Sequence, residues 1–210
     1  MNKEQLRAEL QSGDVGQAVP AMSQLLDARQ EEDLNPDDII LALETMTRLG
    51  QEARVQMFQS FMLYAARYPR VSLPVLLPLI DKSPLSETSR LCIATVLEMI
   101  RYVPGTETYL DRSVLVAGLF RALAATADQG TDRASVVLNA LQALSLDSVA
   151  PEEAEQLVRF LLAAAEEAHP ILTSLFIAKE LLQAHGHGHR LAAIKERALL
   201  LPAEHPLRKL

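Results

Sequence analysis

Apolar residues recur every three or four positions through most of the chain, which is the spacing of one face of an α-helix. Val19, Met22, Leu25 and Leu26 show this spacing early in the sequence. Glycine, proline and polar capping residues interrupt the pattern at intervals, and these interruptions predict roughly eleven helices. No stretch alternates between apolar and polar residues as a half-buried strand would. The sequence therefore predicts an all-α protein.

Local signals predict where several of these helices begin. Asn35 is followed by proline and two aspartates, a combination that favours a helix start because asparagine caps the first turn and proline fits the first helical position. Ser72 is predicted to cap a helix over residues 73–81. Residues 30–34 and 82–84 are predicted to be connectors between helices.

The predicted helices are grouped into similar pairs. Four segments each have the pattern of an apolar half-helix, a turn and a longer apolar helix. They begin at Leu41, Leu76, Gly118 and Leu157, which are successively 35, 42 and 39 residues apart. One such hairpin cannot bury its apolar surface alone, so neighbouring hairpins must cover it. The pattern predicts a stack of about five hairpins.

One stretch of the chain, GDVGQAVPAMSQLL at residues 13–26, resembles the HEAT and armadillo-like repeat family, as does the repeat length. The resemblance implies a right-handed α-α superhelix, a HEAT/armadillo-like solenoid. It implies one solenoid domain over residues 1–201 and a tail over residues 202–210. Within that domain, the expected parts are an N-terminal capping pair at 1–34, central hairpins at 35–185 and a C-terminal capping helix at 186–201.

Composition excludes several classes of protein. The formal net charge is −7, whereas a nucleic-acid-binding surface needs clustered basic residues, so no nucleic-acid partner is expected. The single cysteine, Cys92, excludes an internal disulfide framework and is expected to be buried. No run of 18 apolar residues is present, so a membrane span is not expected and a cytoplasmic location is predicted.

Polar residues in the otherwise apolar second helices of the hairpins are candidates for a binding surface. Six of them form three pairs whose members are three residues apart, so each pair lies on one helical face, and Gln59 and Arg101 could extend the set. In a stacked repeat these pairs would line the inner, concave surface and contact a protein partner; the alternative is that they are ordinary solvated positions. The candidate residues are Gln59, Thr95, Glu98, Arg101, Asn139, Gln142, Glu180 and Gln183.

Four aromatic residues could anchor such a partner if they are exposed, and otherwise belong to the core. They are Phe58, Phe61, Tyr64 and Tyr102.

No metal site is predicted, and a string of histidines and glycines near the C-terminus is only a candidate for metal binding. His185, His187 and His189 are spaced two residues apart, and imidazole is a ligand for zinc, nickel and copper. The alternative is a helix end, where Gly186 or Gly188 supplies the left-handed residue that often follows a last turn. No catalytic motif and no cofactor motif occurs elsewhere in the sequence, and no cofactor is predicted.

These observations favour a non-enzymatic scaffold or adaptor that binds a protein along the concave face. The alternative is a small-ligand-binding accessory protein or a lyase-type enzyme of HEAT-like fold. A DNA-alkylation-repair-like HEAT protein is a minor alternative, because that class carries a basic face with aromatic residues. The apolar stripe on one side of the predicted last helix, residues 189–201, favours a monomer, with a dimer as the alternative.

Overall fold

α-Helices make up most of the part of the chain that the structure describes. The structure, a computed structural model, describes residues 2–26, 35–80, 86–126 and 129–210, apart from the side chains of residues 52 and 53. The connectors predicted at 30–34 and 82–84 lie outside the described residues. The all-α prediction is confirmed, since the described residues form eleven α-helices and contain no strand.

The helices are numbered in chain order. They are α1 (Lys3–Gln11), α2 (Val15–Leu25), α3 (Pro36–Leu49), α4 (Gln51–Arg67), α5 (Pro69–Ile80), α6 (Glu87–Tyr102), α7 (Arg112–Thr126), α8 (Thr131–Ala143), α9 (Pro151–Ala163), α10 (Leu172–Ala184) and α11 (Leu191–Leu199).

Short-range interactions set the start of several helices. The carboxylate of Asp14 accepts a hydrogen bond from the backbone N–H of Gly16 at 2.8 Å, and the side chain of Asn35 accepts one from the N–H of Asp37 at 3.0 Å. Both bonds satisfy a first-turn donor that has no partner within the helix. Gly50, with φ of +87°, allows the chain to turn between α3 and α4. The predicted start at Asn35 is confirmed.

The predicted start of α5 is wrong. This helix begins at Pro69, and Ser72 lies inside its first turn. The Ser72 hydroxyl donates to the carbonyl oxygens of Ala65 at 2.8 Å and Tyr68 at 3.0 Å, so it does not accept from a first-turn N–H. Proline can begin the helix because its fixed φ and missing N–H suit the first position.

Contacts between residues divide the chain into two compact units. Unit 1 extends to Leu79 and resumes over Glu87–Arg112, whereas unit 2 comprises Ile80–Ser86 and Ser113–Leu210. The single solenoid domain expected from the sequence stays a prediction.

Unit 1 has a core of aliphatic, methionine and phenylalanine side chains. Leu10, Met22, Leu43, Met57 and Phe61 are fully buried. They belong to α1–α4, in which α1 packs on α2 and α3, and α4 packs on α2, α3 and α6. Met57 and Phe61 are the side chains of this group that α4 contributes to the core.

Unit 2 has a core of the same kind. Phe120, Leu138, Phe160 and Leu182 are buried, one each on α7, α8, α9 and α10. Helix α10 packs on both α8 and α9, and α11 packs on α9. The pairing of α8 with α10 brings together two of the helices that carry predicted site residues.

The last nine residues pack on unit 2, although the sequence analysis expected them to form a tail. Leu207 is 1% exposed, and its turn contacts α10 and α11. The backbone N–H of Leu207 donates to Nδ1 of His205, so the ring proton is on Nε2, which donates to the carbonyl oxygen of Glu167 at 2.9 Å. A buried leucine and a buried histidine therefore hold this segment in place.

A partly buried hydrogen-bond network, called here the Thr131 network, consists of Thr131, Glu167, Ile171 and His205. The Glu167 carboxylate accepts from the backbone N–H and the hydroxyl of Thr131, both at 2.8 Å. The same hydroxyl accepts from the N–H of Ile171 at 2.8 Å. The network connects the start of α8, the connector between α9 and α10, and the C-terminal segment.

Candidate functional site

Four of the predicted site residues lie on the exposed faces of α8 and α10 in unit 2. Asn139 and Gln142 are exposed on α8, and Glu180 and Gln183 are exposed on α10. Nε2 of Gln142 donates to Oε2 of Glu180 at 3.4 Å. The structure therefore brings together Gln142 and Glu180, which are 38 residues apart in the sequence.

Beside this hydrogen bond is a cleft of about 270 Å³. Its walls are largely apolar, whereas its polar side chains include one carboxylate, one amide and one imidazole. The lining residues are Gln142, Ser145, Leu146, Ile177, Glu180, Leu181, Ala184 and His185.

The cleft lies where α8 ends and the chain changes direction. Ser145 has φ of +48°, and among the described residues it alone has a positive φ without being glycine. Its backbone N–H donates to the carbonyl oxygen of Gln142 at 3.1 Å, which closes the last turn of α8. Left-handed backbone at a residue other than glycine is energetically unfavourable and is found disproportionately at functional sites.

Gln59, the predicted site residue on α4, lies within an exposed apolar face of unit 1. Val55 and Leu63 are 71% and 59% exposed, and they lie four residues before and after Gln59 on the same helical face. Phe58 and Met62, which are half-buried, adjoin them. We call Val55, Phe58, Gln59, Met62 and Leu63 the α4 face.

The remaining predicted residues are on α6. Thr95 is fully buried and its hydroxyl donates to the carbonyl oxygen of Leu91 at 2.8 Å, so its side chain is not accessible to a partner. Glu98 is half-buried. Arg101 is exposed, with its guanidinium 5.1 Å from the centre of the Tyr102 ring.

The aromatic candidates also have different environments. Phe61 and Tyr64 are buried and belong to the core, whereas Tyr102 is exposed. Cys92 is buried, as the sequence predicted.

The three histidines of the predicted metal candidate have separate surroundings. Nε2 of His187 is 2.8 Å from the carbonyl oxygen of Val149, His185 lines the cleft and His189 is exposed. Gly186, with φ of +80°, supplies the left-handed residue after α10. Over the described ranges, no three or more histidine, cysteine, aspartate or glutamate side chains are grouped so that they could hold a metal ion.

A buried charged group in unit 1 was not identified from the sequence. The Asp38 carboxylate is buried and accepts from Nε of Arg7 at 2.7 Å and from Nη2 at 3.2 Å. This hydrogen bond and the charge of Asp38 raise the pKa of the Arg7 guanidinium. An aspartate in a first helical turn is typically exposed, so the sequence offers no local signal for this ion pair.

Tyr64 is another group in unit 1 with a shifted pKa. Burial raises the pKa of its phenol well above the usual range, and the Asp38 carboxylate and then Tyr68 add to the effect. The folded protein therefore keeps Tyr64 protonated at a pH at which an unfolded tyrosine, with a pKa of about 10, has lost its proton. Because the folded state holds this proton more tightly than the unfolded state, the contribution of Tyr64 to the free energy of unfolding is fully present below pH about 10 and is lost as the pH rises above that value.

We expect replacement of Tyr64 by phenylalanine to remove part of this alkaline loss of stability. The free energy of unfolding, measured by urea denaturation at a series of alkaline pH values, should fall less steeply in Tyr64→Phe than in the wild type. Tyr102→Phe, at an exposed position, is the control and should behave as the wild type. If the free energy of unfolding has the same pH dependence in Tyr64→Phe and in the wild type, the buried phenol is not the source of the alkaline loss of stability.

None of the described helices has the length and apolar character needed to cross a membrane. Comparisons of the chain with protein-family models, with curated proteins and with solved structures gave no match.

Proposed function

We propose that this protein is a non-enzymatic scaffold of HEAT- or armadillo-like helical repeats that binds another protein. The observation that carries the proposal is the α4 face, where two large apolar side chains, Val55 and Leu63, are mostly exposed on either side of Gln59. Large apolar side chains that lie together on a surface are typical of interaction sites.

The α4 face has the properties of a protein-binding surface. Its apolar side chains would contribute binding free energy of about 25 cal/mol for each Å² removed from water. Its inner side packs on three other helices, so little conformational entropy would be lost when a partner binds. Gln59 would supply hydrogen bonds that fix the orientation of the partner.

The exposed polar residues of α8 and α10 support the same proposal in unit 2. Asn139, Gln142, Glu180 and Gln183 lie on paired helices and offer amide and carboxylate groups. Such groups are typical of the polar part of an interface, where they contribute specificity more than affinity.

The alternatives have less support. The cleft of about 270 Å³ is at or below the lower end of the range of about 300–1,000 Å³ that is typical of small-molecule sites. The net charge of −7 and the absence of tryptophan disfavour a DNA-alkylation-repair-like protein, which would bind a phosphate backbone and stack on bases.

The experiment starts by identifying the partner through the α4 face. A photo-reactive amino acid in place of Gln59 would cross-link the bound protein in an extract of the source organism, and mass spectrometry would identify it. The purified partner would then be titrated against the wild-type chain and its variants by isothermal calorimetry.

We expect Leu63→Arg to weaken binding of that partner by about tenfold or more, because it places a charge in an apolar contact. Leu200→Arg is the matched control, since Leu200 is also an exposed leucine but belongs to unit 2. Its affinity should stay within about twofold of wild type. Equal affinities for Leu63→Arg and wild type, or the absence of any cross-linked protein, would contradict the proposal.

A further inference from the structure

The cleft between α8 and α10 has the chemistry of a site for a long, positively charged side chain. Ile177, Leu181 and Ala184 give it apolar walls on the α10 side. Glu180 provides a carboxylate, and the eight lining residues include no lysine or arginine. An arginine or lysine side chain matches this combination, since it has an apolar stem and a charged end.

The arrangement of oxygen atoms favours a planar group with several donors. The hydrogen bond from Nε2 of Gln142 to Oε2 of Glu180 leaves Oε1 of each residue as an acceptor, and no other hydrogen bond to either side chain occurs in the described part of the chain. A guanidinium has five N–H donors in a fixed fork and can donate to a carboxylate and an amide oxygen together. The ammonium group of lysine lacks this planar geometry.

The helix ends add a second, independent contribution. Both α8, which ends at Ala143, and α10, which ends at Ala184, have their C-terminal turns at the cleft. The C-terminal end of a helix carries a partial negative charge and stabilises a nearby cation. Two such ends beside one carboxylate would favour a cation in the cleft, although its walls are mostly apolar.

We propose that this cleft binds an arginine side chain of the partner protein, with the aliphatic stem on Ile177 and Leu181 and the guanidinium on Glu180 and Gln142. The inference rests on the proposed function, because it names the chemistry of one contact with the partner. The site lies in unit 2 and is separate in sequence from the α4 face, so the two proposals are tested by different variants.

The test uses small probes, so it does not require the partner. Nα-acetyl-arginine N-methylamide would be titrated into isotope-labelled protein while the methyl resonances of Ile177, Leu181 and Ala184 are followed by NMR. The citrulline analogue, which has the same shape without the charge, is the matched control probe. Spermidine is included because a free polyamine has a similar charge but is not part of a protein.

We expect saturable shifts at the three residues with the arginine probe, and binding of the citrulline probe at least about threefold weaker. Glu180→Gln should weaken binding of the arginine probe by a similar factor, and the loss should shrink at high salt. Glu196→Gln, at an exposed glutamate on α11, should leave the affinity unchanged.

Three results would overturn the inference. The first is the absence of saturable shifts at the cleft, and the second is equal affinity for the arginine and citrulline probes. The third is tighter binding of spermidine than of the arginine probe, which would assign the cleft to a free polyamine. If the probes fail while Leu63→Arg still weakens partner binding, the arginine site is wrong and the proposed function stands. If the probes bind while Leu63→Arg leaves partner affinity unchanged, the proposed binding surface on α4 is wrong and the arginine site stands.

Discussion

Replacing Thr131 by valine is expected to lower the free energy of unfolding by about 1–3 kcal/mol, because it removes one hydrogen bond to the Glu167 carboxylate and leaves the N–H of Ile171 without its partner. The side chain is 1% exposed, and valine has nearly the same shape. The lost hydroxyl donates to the Glu167 carboxylate and accepts from the N–H of Ile171. The Glu167 carboxylate is half-buried and keeps its hydrogen bond from the backbone N–H of Thr131, so the larger part of the loss comes from the N–H of Ile171.

Thr126→Val is the matched control for this change. Thr126 is also fully buried, but its hydroxyl donates to the carbonyl oxygens of Ala122 and Leu123 in its own helix. Because a hydroxyl bonded back to its own helix adds little stability, the expected loss is within about 1 kcal/mol. Urea denaturation followed by far-UV circular dichroism measures both variants. Equal losses at the two positions would show that the Thr131 network contributes no more than an intrahelical bond.

Replacing Leu207 by alanine is expected to lower the free energy of unfolding by about 2–4 kcal/mol, because it creates a cavity in the core of unit 2. The side chain is 1% exposed and its turn contacts α10 and α11. This effect is large for a residue in a segment that the sequence predicts to be a tail.

Leu200→Ala is the control for Leu207→Ala. Leu200 is 77% exposed, so the same substitution removes no buried contact there and should change stability by less than about 0.5 kcal/mol. Thermal unfolding of the two variants gives the comparison. If both variants have the same melting temperature as the wild type, the C-terminal segment does not pack on unit 2 in solution.

Helix starts were predictable where the cause is local. Asn35 caps α3 through a bond to a residue two positions away, and this geometry depends only on the neighbouring sequence. The start of α5 was not predictable in this way, because the Ser72 hydroxyl donates to a carbonyl oxygen of α4 and to that of the residue four positions before it, and so does not cap a first-turn N–H. The packing of Leu207 depends on α10 and α11, which no pattern within residues 202–210 reveals.

The candidate site was predictable in part for a similar reason. Gln142 and Glu180 are polar residues in apolar helices, and the structure places both at an exposed surface. Thr95 satisfies the same pattern but is buried, because a threonine can satisfy its hydroxyl on the preceding turn of its own helix. Val55 and Leu63 are the reverse case, since apolar residues are expected in a core and only the packing of α4 shows which of its faces is free.

The Thr131 network also has a consequence for how unit 2 opens. The backbone amides of Thr131 and Ile171 both have partners within the network, and His205 connects the C-terminal segment to it. Separation of any one of these segments removes a partner from the others, so they should open in a single cooperative step. In native-state hydrogen exchange, the amides of Thr131 and Ile171 would then share one opening free energy, although they are 40 residues apart.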